Sequence, residues 1–177
     1  MQEEFSHPVK AGQIKEQPQD FTIAADAAQR AALAARFGLA GLEKLEGRFL
    51  LRHERSGIIA GVLSMSAVVT QICVVSLEPF AAAIKERADL RFVPAAALPR
   101  AAEGDEDEDI TPDSFDSPDE IPYEGDIIDL GAALAEQLAL TLDPYPRKPG
   151  AALPEAASDN SAHPFAALAS RLGKKPE

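Results

Sequence analysis

Cys73, Glu78 and Asp129 are the side chains of this sequence whose types could do covalent or proton-transfer chemistry. As a thiolate, Cys73 could attack an electrophile or hold a metal, provided its surroundings lowered its pKa. Glu78 and Asp129 could act as general acid and general base if folding brought both carboxyls to one substrate. Each also has a plainer reading. Cys73 is the single cysteine and lies in an apolar run, where a lone thiol behaves as a small buried hydrophobe. Glu78 precedes Pro79, as turn residues do, and Asp129 stands where a helix N-cap belongs. His7, His53 and His163 are far apart in the sequence and lack metal-ligand spacing, so neither a metal nor another cofactor is expected. No nucleophile-elbow, phosphate-loop or dinucleotide motif occurs. The plain readings prevail, and no catalytic residue is assigned.

The order of short motifs is more specific than any one of them. A β-rich run ends in Gln71-Ile-Cys-Val-Val-Ser-Leu-Glu-Pro-Phe80, a strongly acidic stretch follows, and Ile127-Ile-Asp-Leu-Gly131 then leads an amphipathic segment into Leu142-Asp-Pro-Tyr-Pro-Arg147. Over about residues 5–150 this order resembles the YceD family, the large ribosomal RNA subunit accumulation proteins. Cys73, Leu77, Glu78, Pro79, Asp129, Leu130, Asp143 and Pro144 carry the resemblance. It implies a role in the synthesis, processing or stability of bacterial 23S ribosomal RNA, with no catalytic residues attached. Many relatives have Cys-x-x-Cys at the first motif; here the second position is Ser76, which leaves a zinc site short of ligands. Family genes commonly sit beside a gene for a large-subunit ribosomal protein.

Charge is unevenly spread. The net charge is -12, but residues 101–146 hold 15 acids and no Lys or Arg, so the rest of the chain is slightly basic. Lys44, Arg48 and Arg52 share one parity of an expected strand, and Lys85, Arg87 and Arg91 share one parity of another. If both strands present that parity outward in one sheet, the six make a candidate RNA contact. No aromatic lies among them, so stacking on unpaired bases is not implied. The alternative is an ordinary solvated face interleaved with Glu46, Glu54 and Asp89. Glu103, Asp105, Glu106, Asp107, Glu108 and Asp109 form a polyanion that could capture a very basic protein, or could simply solubilise the chain.

The elements that must position these residues follow from periodicity. Phe5 to Val9 and Asp20 to Ala24 read as short extended pieces, and Asp26 caps a helix that reaches Phe37 and stops at Gly38. The pattern predicts a strand over Glu43 to His53, a hairpin turn at Arg55-Ser56-Gly57, and β-structure buried on both faces from Ile58 to Leu77, ended by Pro79. A second amphipathic strand is expected over Ala82 to Val93, a mobile acidic loop over 101–120, and a helix after Asp129 with Leu130, Leu134 and Leu138 on one face. Residues 151–177 read as a tail carrying a short amphipathic piece, Pro164 to Leu172.

The expected fold class is therefore α+β: one domain over 1–150, with an antiparallel meander of roughly four to six strands, two main helices and a flexible tail. The expected function is a noncatalytic factor of large-subunit biogenesis. Its partner is 23S ribosomal RNA or its precursor, met directly or through a basic large-subunit ribosomal protein. Competing readings are a hydrolase or RNA-modifying enzyme using Glu78 or Asp129, and a protein-binding adaptor. A start without a basic, then apolar, leader points to the cytoplasm, and no membrane span or small-molecule substrate is expected.

Overall fold

A computed structural model describes residues 4–97 and 119–152. The fold is α+β. Its centre is a five-stranded sheet in the order β2-β3-β4-β5-β6, where β2 is Gln19–Ala24, β3 Gly41–His53, β4 Ile59–Ile72, β5 Pro79–Pro94 and β6 Asp119–Tyr123. The first four strands form the expected antiparallel meander; β6 pairs parallel to β5. A separate two-stranded ribbon joins β1 (Pro8–Lys10) to β7 (Ile127–Asp129).

Helix α1, Ala27–Phe37, starts where the sequence says it should. Asp26 accepts from the Gln29 N–H at 2.9 Å, and the Gln29 side chain accepts from the Asp26 N–H at 2.9 Å. Together they close a capping box that satisfies two of the helix's orphan donors. Gly38 ends it at φ 64°, a left-handed conformation that glycine adopts without a Cβ penalty. Arg36 reaches Glu4 at 3.1 Å, whereas Arg30 folds back and donates to the Ala25 carbonyl.

Both helices contribute to one core on one side of the sheet. Leu33 of α1 and Leu134 and Leu138 of α2 (Leu130–Thr141) are buried with Phe49, Leu51, Leu63 and Phe92 from the inward parity of the strands. Helix and sheet come unusually close at Gly47, where an added Cβ would lie 2.9 Å from the Leu134 methyls. The opposite parity is covered by no element among the described residues. There β4 departs from expectation: its inward residues are buried, but Ala60, Val62, Ser66 and Val68 are only half-buried. They are small or β-branched, and side chains of the strands on either side shield them in part without a second layer.

Three boundaries also differ. Strand β4 stops at Ile72 rather than Leu77, and Pro79 opens β5 instead of closing β4, a place where proline's missing N–H costs nothing. Strand β6 occupies Asp119–Tyr123, partly inside the stretch read as an acidic loop. Besides its pairing with β5, two side-chain hydrogen bonds anchor it: Tyr123 donates to the Gly57 carbonyl at 2.6 Å, and the buried Gln137 donates to Asp119 at 2.9 Å. Glu103, Asp105, Glu106, Asp107, Glu108 and Asp109, and the piece Pro164 to Leu172, lie outside the described residues. Among the described residues no helix is long and apolar enough to cross a membrane.

Candidate functional site

The two conspicuous motifs prove to be joints. Asp129 is the N-cap of α2: its Oδ1 accepts from Gly131 N at 2.8 Å and Ala132 N at 3.0 Å, and also from His7 N at 2.8 Å. Its Oδ2 accepts from the Ser6 hydroxyl. One carboxylate thus caps the helix and ties down the N-terminal segment. That segment passes so close that a Cβ on Gly131 would meet His7 N and Phe5 O at 2.8 Å, which accounts for the glycine in Ile-Asp-Leu-Gly.

At the other end of α2, the chain from Asp143 to Lys148 forms a strap laid along the turn between β4 and β5. Asp143 Oδ1 accepts from Tyr145 N at 2.8 Å, the local turn that Leu-Asp-Pro encodes. The strap is fastened at three points: Gln71 Nε2 donates to Asp143 O at 3.2 Å, Val74 N to Pro146 O at 2.9 Å, and Lys148 Nζ to Glu78 at 2.8 Å. Lys148 holds the Glu78 carboxyl below its ordinary range, first by this hydrogen bond and then by its charge. Asp129 and Glu78 therefore sit beyond opposite ends of a 12-residue helix, a separation of roughly 18 Å along its axis. They do not form an acid and base pair at one substrate.

Cys73 is fully buried, as expected, but it lies past the end of β4 and its sulfur is a hydrogen-bond acceptor rather than an inert hydrophobe. Val75 N and Ser76 N both point at Sγ, each at 3.4 Å. The Ser76 hydroxyl is the largest influence favouring the thiolate; Ser76 N, Lys148 N and Val75 N add to it, and burial opposes them. The net effect brings the pKa from an ordinary 9.0 to about 6. Because the folded value is the lower one, the thiolate adds stability that is fully present above the unfolded pKa and lost as pH falls through about 6. Ultraviolet titration of the thiolate should show a midpoint near 6, and Cys73→Ser should flatten the rise in stability between about pH 6 and 9. A midpoint at the ordinary value of 9.0 would contradict this geometry. Cys73, Ser76 and Lys148 offer a thiolate, a hydroxyl and an ammonium group, which is not a cation cage. Among the described residues no three His, Cys, Asp or Glu side chains come together as one.

The six cations singled out by parity do share a surface. Register places Arg48, Ser64 and Arg87 in one row across β3, β4 and β5, and Arg52, Ala60 and Arg91 in another; Lys85 lies in the row of Glu46. All face away from the helices. Between the two arginine rows runs Asp20-Leu50-Val62-Asp89, with Leu50 41% exposed, so an apolar pair flanked by two acids separates the cationic rows. Two grooves follow these rows: one of about 490 Å³ by Leu50, Arg52, Ala60 and Arg91, and one of about 200 Å³ by Arg48, Ser64 and Arg87.

Acids also occupy this face and answer many of the cations. Lys44 pairs with Glu46 at 2.9 Å, Arg48 with Asp20 at 2.6 Å, Arg52 with Glu54 at 2.6 Å, and Arg91 with Glu54 at 3.9 Å and Glu120 at 3.5 Å. Among the described residues Lys85 and Arg87 have no ion pair. The surface is a mosaic of paired and unpaired charges of both signs. Sequence parity found the cations; what it missed was Asp20 and Glu120, which come from β2 and β6, the two edge strands of the sheet.

Neither the curated proteins nor the solved structures gave a match. The family described as large ribosomal RNA subunit accumulation protein YceD matches residues 62–170, a span that runs from β4 through the joint at Cys73, α2 and the strap. With more than half its length matched, and with Cys73, Glu78, Asp129 and Asp143 each placed at a joint of the fold, the chain belongs to the YceD family.

Proposed function

We propose that this protein is a noncatalytic factor that helps the large-subunit RNA accumulate by binding it, in the cytoplasm, through the outer face of the five-stranded sheet. The observation that carries this reading is the row structure of that face: cations from β3 and β5 aligned across grooves, with Lys85 and Arg87 unengaged by acids among the described residues. The charged rows would meet phosphates, and the Leu50-Val62 stripe would meet the less polar sugar edges between them. Salt bridges such as Arg48–Asp20 are exposed and weak, so exchanging a carboxylate for a phosphate costs little. The internal acids disfavour indiscriminate binding. The family description names accumulation of the large ribosomal RNA subunit, which supports a role connected with that RNA.

A second reading rests on a different observation, the polyanion of Glu103, Asp105, Glu106, Asp107, Glu108 and Asp109 within a stretch, 101–146, that has 15 acids and no Lys or Arg. There the chain would hold a basic ribosomal protein and act on the RNA through it.

Either route requires that loss of the protein lower 23S relative to 16S ribosomal RNA. Deleting the gene and measuring that ratio should show a deficit restored by the intact chain. A ratio unchanged across growth conditions would overturn the proposal in both forms.

A further inference from the structure

The end of the molecule where the strap crosses the β4–β5 turn exposes large apolar side chains together. Ile72 and Val74 are each 44% exposed, Leu77 76% and Tyr145 72%, and the Val74 to Pro146 hydrogen bond brings the turn and the strap side by side. Such a concentration on one joint is the mark of an interaction surface. Leu77 is the most telling member. Its φ is 58°, the left-handed region that a bulky residue enters only under constraint, yet its side chain packs against little within the described fold. Glycine would suit that backbone better, yet the position holds a large apolar side chain that the described residues leave exposed.

The chain itself offers the occupant. The described chain runs from Lys148, tied to Glu78 at 2.8 Å, through a turn in which Ala151 N donates to Lys148 O, to Ala152, and 11 residues, 153–163, separate it from Pro164. They can reach at most roughly 40 Å, enough to return Pro164 to Leu172 to the same joint. In that segment Phe165, Leu168 and Leu172 fall on one side at helical spacing, with small alanines between them. The family match runs on through residue 170, so the β4–β5 turn, the strap and nearly all of this segment belong to one shared pattern.

We infer that the segment Pro164 to Leu172 docks, within the same molecule, on the apolar surface formed by Ile72, Val74, Leu77 and Tyr145. The joint is then a seat for the C-terminal segment, and the strap sets its direction of approach.

Hydrogen exchange on the full chain tests this. In the intact protein, amides of 72–78 and 143–147 should be protected, and Phe165→Asp with Leu168→Asp should speed their exchange by about tenfold or more while the sheet is unaffected. Conversely, Leu77→Gly should release the 164–172 amides without loss of thermal stability, because glycine relaxes the backbone while deleting the contact. Unchanged exchange at both places would overturn the inference. Protection that vanishes on dilution would overturn it in favour of a second copy, and protection seen only after adding ribosomal material would assign the surface to an external partner.

Discussion

Gly131→Val is expected to destabilise the protein by about 3 kcal/mol or more, a large share of the roughly 5–15 kcal/mol that holds a typical domain together. The space beside Gly131 is filled by backbone, not by a flexible side chain: His7 N and Phe5 O at 2.8 Å and Ser6 C at 2.9 Å from where a Cβ would be. A valine can enter only if the N-terminal segment withdraws. Withdrawal breaks Leu130 N to His7 O and His7 N to Asp129, uncouples β1 from β7, and exposes Phe5, now only 4% exposed. Losing a buried phenylalanine's packing alone costs about 3 kcal/mol. Thermal unfolding followed by circular dichroism should fall by roughly 6–12 °C for a chain of this size. Gly131→Ala should show a smaller loss in the same direction. A change within about 0.5 kcal/mol, typical of an open surface position, would mean that the N-terminal segment does not lie there.

How far the sequence discloses this molecule depends on whether a feature is local. The cap at Asp26 and the stop at Gly38 are written within a few residues, as is the alternation along β3, and all are recovered by the structure. The second cap, Asp129, is equally legible, but its bonds to Ser6 and His7 lie more than a hundred positions away, and nothing in the local pattern announces them. Likewise the parallel pairing of β6 rests on Tyr123 reaching Gly57 and Gln137 reaching Asp119. A five-residue strand with a proline at position 122 has little local signal of its own. Strand β4 misled for another reason. Apolar residues on both parities normally mean two covered faces, but small and β-branched side chains between long neighbours read the same way. As for the candidate interface, parity alone placed six cations on one face correctly; the ion pairs that temper them depend on which strands become neighbours.

Cys73 illustrates how chemistry can be legible in type and misplaced in role. A lone buried thiol in an apolar context suggests inert packing, yet two backbone N–H groups and the Ser76 hydroxyl converge on the sulfur because the chain turns back at Val74 to Leu77. The turn, not the residue type, makes the thiol acidic. Its consequence is structural: the same joint that favours the thiolate also fastens the strap.

The reading of the outer face is tested most directly by charge reversal. Changing Arg48, Arg52, Arg87 and Arg91 to Glu alters that face by eight charge units without touching the core, since all four lie on the outward parity. The fold should survive, with some surface repulsion where Asp20, Glu54 and Glu120 lose their partners. Binding of purified full-length protein to 23S ribosomal RNA fragments should then be measured across a salt series. Affinity should fall by roughly a hundredfold or more at moderate salt, and the slope of log affinity against log salt should flatten by about 0.7 to 0.9 for each phosphate contact removed. An unaltered affinity and slope in a variant that folds normally, or no measurable RNA binding by the native protein, would contradict the assignment of this face to RNA.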